Sequence, residues 1–406
     1  MPREEARQNQ RERLFAAMVA VTAEKGYQAT SVADLVDVSG VSSRSFYQHF
    51  SDKEDCFLGT MEVILVDMHR LVLGELEGEG LIDERADRAA LVLVEHLRTE
   101  PETTRLWLVE AFCAGERAQQ RLNLALDVLA AQLQKVFGAL GKQDMPEDLT
   151  RAILGGVAGV IYNRLAAGRS EDIPALVENV RSWALGFPVP PGPLRPKGRR
   201  RRAAAPPGAP PFAAHVPGER VLRAFTEVVA EKGFAATTIA DIAARGSVSQ
   251  ATLYNHFSGK EDILNAALDS SGAQMIAATL PAIRRTPEWP GAMRIAAESL
   301  CSFFVAEPGF AHLREVAVYG AGPAAVRVRD RTGLDLLQML TRLAPKAPSG
   351  LDEVRVEATF ASIHALLYRW IRAKGTETLS QAAPLATYLA LAPWAGGTSA
   401  WETACS

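Results

Sequence analysis

The chain has 406 residues, 48% hydrophobic and 22% charged, with 44 Lys+Arg against 47 Asp+Glu and a formal charge of -3; this globular composition predicts two to four domains and excludes wholesale disorder. No apolar run approaches the ~18–20 residues of a membrane span, and the polar start MPREEARQNQRERLF has no apolar signal core. Cys56, Cys113, Cys301 and Cys405 lie far apart with no metal-ligand spacing, so the expected setting is a reducing cytoplasm, with no disulfide scaffold and no metal.

In chain order, Leu14, Met18 and Val21 follow i, i+4, i+7 and predict a first helix. It ends at Gly26, followed by the apolar Tyr27. Ser31-Val-Ala-Asp34 has the spacing of a capping box and opens a short second helix that carries Val32, Leu35 and Val36 inward and stops at Ser39-Gly40. Val41 plugs the corner, and Ser42 caps a third helix running through Phe50. Ser51-Asp-Lys-Glu54 repeats the box and opens a fourth. Further on, Gly155, Gly156, Ala158 and Gly159 suit a close helix–helix approach. The stretch PVPPGPLRPKGRRRRAAAPPGAPPF then has no apolar periodicity and reads as a semi-extended linker, whose thirty or so residues reach on the order of 90 Å at ~3.1 Å each.

Beyond the linker the chain repeats itself. AEKGYQATSVADL around Glu24 returns as AEKGFAATTIADI around Glu231, a shift of about 207 residues, and YQHFSDKED returns as YNHFSGKED. Glu100-Pro101 and Ala114-Gly115 fall on Glu307-Pro308 and Ala321-Gly322 in the same register. This period far exceeds the ~20–50 residues of solenoid repeats; one whole protomer is written twice. Strand signals are missing throughout, so the expected class is all-α. The expected domains are a helix-turn-helix over 8–57, helical regulatory helices over 58–187, a linker over 188–217, a second helix-turn-helix over 218–264, second regulatory helices over 265–395, and a tail over 396–406.

Two short helices joined by a glycine-containing turn form a helix-turn-helix, whose second helix faces base edges in the major groove. Ser42, Ser43, Arg44 and Gln48 in the first copy, and Ser249, Gln250, Thr252 and Asn255 in the second, are small or polar. Arg pairs bidentately with guanine, and Gln or Asn with adenine. Tyr47, His49, Tyr254 and His256 can donate to phosphates, and Lys53 and Lys260 sit at a helix start where anions are favoured. As metal ligands His49 and His256 lack a second ligand at helical spacing.

TSVADLVDVSGVSSRSFYQHFSDKEDCFL and TTIADIAARGSVSQATLYNHFSGKEDIL resemble the N-terminal domain of the tetracycline-repressor (TetR) family of bacterial transcription regulators, over about 45 residues in each copy. The resemblance implies binding to double-stranded DNA, and adds Thr30, Ser31, Thr237 and Thr238, at the start of the second helix, to the DNA-facing set. It also implies C-terminal helices that form a small-molecule effector pocket and a dimer interface, here an intramolecular pseudo-dimer with further dimerisation possible. The last helix pairs would be 149–185 and 352–391. One departure stands out: the turn glycine is Gly40 in the first copy but Ser247 in the second, and Ser lacks glycine's freedom at positive φ.

Unequal recognition residues, Ser43-Arg44-Ser45 against Gln250-Ala251-Thr252, predict unequal half-sites in an imperfect palindrome. Lys197, Arg199, Arg200, Arg201 and Arg202 in the linker are either an arm for phosphates or a minor groove, or a solvated spacer kept extended by self-repulsion. Trp107, Phe112 and Tyr162, and in the second copy Phe303, Phe304, Tyr319, His364, Tyr368 and Trp370, are candidates for lining an effector pocket, with plain core as the alternative. Neither Cys113 nor Cys301 has a neighbouring base in sequence to activate a thiolate. No GxSxG, P-loop, dinucleotide fingerprint or HExxH is present, so neither an enzyme nor a cofactor is expected. The leading expectation is a nucleoid-associated, ligand-responsive repressor in a bacterial cytoplasm. The alternative is a protein of the same fold that binds a ligand or partner and has lost specific DNA reading in one or both halves.

Overall fold

The computed structural model describes residues 3–195, 217–286, 288–343 and 352–406, and among these every regular element is helical. Lys197, Arg199, Arg200, Arg201 and Arg202 lie outside the described residues, and with them the arm or spacer role of the linker. The chain forms two compact units, Met1–Gln143 with Val160–Glu178, and Asp144–Gly159 with Asn179–Ser406. The division does not follow the repeat, because parts of the first copy's last two helices belong to the second unit. Among the described residues no helix is long and apolar enough to cross a membrane.

In the first unit the helices are α1 (Arg3–Ala29), α2 (Val32–Ser39), α3 (Ser43–His49), α4 (Lys53–Leu76), α5 (Ile82–Thr99), α6 (Pro101–Leu108) and α7 (Glu116–Ala139). The later part of α8 (Glu147–Ala166) and the start of α9 (Ile173–Gly186) complete it. Leu14, Met18, Leu35, Phe46, Phe57 and Met61 are fully buried and join α1 to α4 in one small core. Proline at the first position starts α6 where its missing N–H is harmless, and a short 3-10 turn, Glu110–Phe112, follows.

The second unit continues with α10 (Pro217–Ala236), α11 (Ile239–Arg245), α12 (Gln250–Tyr254), α13 (Lys260–Arg284), α14 (Trp289–Ala306) and α15 (Pro308–His312). A wide π turn, Leu313–Ala317, leads to α16 (Val318–Gly320), α17 (Pro323–Leu343), α18 (Glu353–Lys374), α19 (Ala383–Ala395) and α20 (Gly397–Cys405). The first part of α8 lies against α18 so closely that only glycine fits. A Cβ on Gly155 or Gly159 would collide with the Cβ of Ala365 or Ala361, and one on Gly156 would stand 2.6 Å from the Ala358 carbonyl. Beside this contact the buried Trp183 indole donates to Thr359 Oγ1 at 3.1 Å. Helix α19 is apolar on every face and buried from Ala383 to Ala392.

Residues 396–406 differ from the expected tail. They form α20, with Ala400, Ala404 and Cys405 buried. Trp401 Nε1 donates to the Pro193 carbonyl at 3.3 Å, and Tyr388 OH to that of Pro188 at 2.9 Å, so the start of the proline-rich stretch packs on α19 and α20. Proline carbonyls remain good acceptors although proline lacks a donor, a pairing that composition alone does not reveal.

Candidate nucleic-acid interface

In the first copy α1 breaks at Gly26 (φ 78°, ψ 159°), and Tyr27 turns into the core. Ser31 caps α2 in a complete capping box with Asp34, its main-chain N–H donating to Oδ2 at 2.7 Å. Lys25 approaches the same carboxylate to 2.6 Å; Lys25 and then Ser31 hold Asp34 well below the usual carboxylate range. Helix α2 ends at Gly40 in the left-handed region (φ 62°), Val41 is buried at the corner, and the Ser42 hydroxyl accepts the Ser45 N–H at 3.1 Å to start α3.

Helix α3 is two-faced. Phe46 and Phe50 are buried, with Phe50 packed on Phe15 of α1 at a centroid distance of 5.8 Å. Ser42, Ser43, Arg44, Tyr47 and Gln48 are exposed, Tyr47 at 60%. Five candidates thus share one accessible face. His49 is half-buried, its Nε2 3.2 Å from Gln10 Oε1. Burial, then Arg7 and Arg11, lowers its pKa, so the ring belongs more to the α1 contact than to the outer face.

The second copy repeats the plan. Helix α10 breaks at Gly233 (φ 77°), Thr238 and Asp241 form the box, and Lys232 stands 2.7 Å from Asp241. Lys232 first, then Thr238, brings the Asp241 pKa down to about 2. Leu253 points inward while Ser249, Gln250, Tyr254, Asn255 and His256 are exposed. Thr252 is half-buried, its hydroxyl 2.9 Å from that of Ser249. Ser247 takes φ 49°, the one positive φ outside glycine among the described residues, and α12 spans five residues where α3 spans seven.

Three expectations change on contact with the geometry. Thr30 and Thr237 are buried at 3% and 2%, and their hydroxyls donate to the carbonyls of Gly26 and Gly233 at 2.8 Å, so they brace the α1 and α10 breaks instead of facing outward. Ser31 and Thr238 remain exposed but commit their hydroxyls to the capping boxes. Lys53 Nζ donates to the carbonyls of Tyr27 and Thr30 at 2.9 and 2.8 Å and lies 4.2 Å from the Tyr27 ring centroid. Lys260 does the same at Phe234 and Ala235, at 3.0 and 3.4 Å. Both lysines clip the end of one helix to the start of another. The cap of α4 is also shifted by one residue: Asp52 accepts from the Asp55 N–H at 2.8 Å, while the Ser51 N–H donates to Asp55 Oδ2.

The effector-pocket candidates divide into groups. Trp107 and Tyr162 are buried, and Phe112 meets Tyr162 edge-on at 6.1 Å. Phe303 and Phe304 pack on each other within α14, and Tyr319 meets Tyr368 edge-on at 5.8 Å. Trp370 is tied to the far end of α18, donating to Thr378 Oγ1 at 2.9 Å beneath Lys374. His364 lies 2.8 Å from Glu315 in a buried charged cluster with Arg314, Arg329 and Asp330 that sequence reasoning missed. Burial pushes the Glu315 carboxyl up, but His364 and the two arginines more than offset it and keep it below its usual range. An Arg-Glu pair inside the apolar run around Leu313 was the available signal.

Burial pushes the Cys56, Cys113 and Cys301 thiols up to about 12, far from thiolate chemistry at neutral pH. Among the described residues no group of three or more His, Cys, Asp or Glu side chains is placed to hold a metal.

Each copy therefore presents a capped, cored helix-turn-helix with a polar outer face. The family profile described as bacterial regulatory proteins, tetR family, matches residues 14–60 and again 221–267. The chain thus carries the N-terminal domain of this family twice. It is 42% identical over 55 residues to the HTH-type transcriptional repressor Rv3405c of Mycobacterium tuberculosis, a match covering 14% of this chain and 29% of that protein's length. It is 28% identical over 172 residues to the HTH-type transcriptional repressor AcnR of Corynebacterium diphtheriae, covering 39% of this chain and 85% of that protein. Among solved structures, the fatty acid degradation regulator FadR from Bacillus halodurans aligns with 43% of this chain and 97% of its own at 19% identity, with a TM-score of 0.39.

Proposed function

We propose that the chain is a DNA-binding transcription regulator, a ligand-responsive repressor of the bacterial cytoplasm that reads an imperfect palindrome through two unequal helix-turn-helix heads on one polypeptide. The observation that carries this reading is the outer face of α3 and its counterpart on α12, where Arg44 and Gln48, and Gln250 and Asn255, are exposed over a buried aromatic or aliphatic base. Those side chains match the donor and acceptor edges of guanine and adenine. The glycine contact of α8 on α18 supports a further point: the helix pairs that sister proteins would bring together from two subunits are brought together within one chain. Linking them turns a bimolecular assembly into an intramolecular one at an effective concentration of order mM. A small-molecule effector acts by favouring one of two states of the regulatory helices, since equal affinity for both would shift nothing.

Selection of bound fragments from random DNA tests the reading. Two half-sites of different sequence are expected, and Arg44→Ala relaxes base preference in one of them by ~1–3 kcal/mol. Binding without sequence preference at every salt concentration overturns it. A single selected half-site would instead favour a chain whose second head has lost specific reading, an alternative that the positive φ of Ser247 and the short α12 support.

A further inference from the structure

The first copy fastens its reading head to its regulatory helices through a buried carboxylate that the second copy lacks. Glu110, 3% exposed, uses both oxygens. Oε2 accepts the main-chain N–H of Tyr27 at 2.9 Å, directly after the break of α1 at Gly26. Oε1 accepts Nε and Nη2 of Arg105 at 3.2 and 3.1 Å. Arg105 Nη1 reaches the Leu165 carbonyl, near the end of α8, at 3.4 Å. The Tyr27 carbonyl in turn accepts Lys53, the first residue of α4. One series of polar contacts runs from the end of α8 through α6 and the 3-10 turn to the frame that holds α2 and α3. Arg105 also lines an open groove of about 800 Å³ along α1 and α6, whereas Glu110 stays buried behind it.

In the 207-residue register Glu110 falls on Ala317 and Arg105 on His312. The Ala317 methyl has nothing to offer the Phe234 main chain. The His312 ring is half-buried, burial lowers its pKa, and its buried Nδ1 finds no hydrogen-bond partner among the described residues. Lys260 still grips the Phe234 carbonyl. The second head has kept the clip inside the head and has no counterpart of the Glu110–Arg105 tether at Ala317 and His312. Charge in this segment has moved to Arg314 and Glu315, which turn toward Leu268, Ser271 and His364 within those helices.

We propose that Glu110 is a positioning residue that couples the regulatory helices of the first copy to its reading head, and that the second head follows its own regulatory helices without this buried tether, its Arg223 facing Glu307 at the cap of α15 instead. The inference rests on the two-headed reading above. A hydrogen bond weakens steeply with stretching and misalignment, so it ties two elements at a defined separation. A shift of α6 by on the order of 1 Å takes a 2.9 Å contact out of range, whereas apolar contact tolerates sliding of that size.

Hydrogen exchange on the full chain without DNA tests this, comparing wild type with Glu110→Ala and Glu110→Gln. In Glu110→Ala, segments containing Tyr27 and α2–α3 are expected to exchange roughly tenfold faster, with Phe234 and α11–α12 unchanged. Glu110→Gln keeps an acceptor for the Tyr27 N–H and restores most of that protection. Equal loosening of both heads, or loosening of α4–α7 as a whole with no excess at Tyr27, overturns the proposal. Arg105→Met covers the case in which Glu110→Ala fails to fold. It keeps the Glu110–Tyr27 bond, cuts the link to Leu165, and should leave Tyr27 protected while the end of α8 loosens; loss of protection at both places also overturns it. None of these readouts needs DNA, so a chain that bound none would sink the proposed function and leave the coupling standing.

Discussion

Gly40 and Ser247 occupy the same corner of the two helix-turn-helix units, and both hold the left-handed backbone, at φ 62° and 49°. The surrounding devices are matched pair by pair: a break at Gly26 or Gly233, a Ser or Thr capping box, a lysine closing each box, and a second lysine clipping the helix end. What differs is tension and attachment. The second head forces a β-carbon into a conformation that disfavours it by roughly 1–2 kcal/mol, and its recognition helix is shorter. The Glu110–Arg105 tether holds the first head alone. A duplicated chain need not keep its halves equivalent, because each is always delivered with the other.

The largest expected effect tests the shared part of this comparison. Lys53→Met removes a partly buried ammonium from two carbonyls and an aromatic face, and should lower the stability of the first head by about 2 kcal/mol. Lys260→Met should cost about half as much, since one of its two bonds stretches to 3.4 Å. Denaturant unfolding measures both. Salt titration of DNA binding sharpens the assignment: with the lysine acting as a clip, the slope of log affinity against log salt stays unchanged. A fall of about one unit would place the ammonium on a phosphate.

The heads were legible in sequence to the level of single caps, because a helix-turn-helix is built from local signals: Ser31 with Asp34, Gly40, Ser42, and the inward spacing of Phe46 and Phe50. The roles of Thr30 and Lys53 were not legible. Both are polar residues beside an exposed helix, and only the fold shows that Lys53 meets carbonyls 23 and 26 positions earlier. Glu110 was hidden for the same reason, its partner Tyr27 lying 83 residues away. The buried cluster of Arg314, Glu315, Arg329 and His364 gathers α17, α18 and the π turn, a convergence that no local spacing encodes.

A smaller effect probes the corner itself. Gly40→Ser should destabilise the first head by about 1–2 kcal/mol. Its Cβ would also come 2.6 Å from Arg13 Nη2, which holds the Ser39 carbonyl, so the arginine must move. Ser247→Gly should stabilise the second head by about 1 kcal/mol, offset in part by the freedom glycine adds to the unfolded chain. If Ser247→Gly also brings the affinity of the second half-site closer to that of the first, the strain at this corner is what separates the two heads in binding. Unchanged affinity would assign the difference to Arg44 against Ala251.

The smallest effect falls on both heads alike, which makes it a control on their asymmetry. Asp241 is held at about 2 by Lys232 and Thr238, below the ordinary value of 3.8, and Lys25 with Ser31 holds Asp34 low in the same way. A carboxylate whose pKa is depressed on folding contributes stability that is fully present above its unfolded value, and that is lost as pH falls through the folded one. Each head should therefore keep its α2 or α11 cap at about pH 5; the α11 cap is lost progressively between about pH 4 and pH 2, and the α2 cap along an acid limb that extends lower. Both carboxylates are partly open to solvent, so the loss is modest. Asp34→Asn and Asp241→Asn should each flatten this acid limb in their own head, read as circular dichroism or amide exchange over the two helix starts. A limb confined to the first head would mean that the Lys232–Asp241 pair does not form in solution, and that the heads already diverge at their caps.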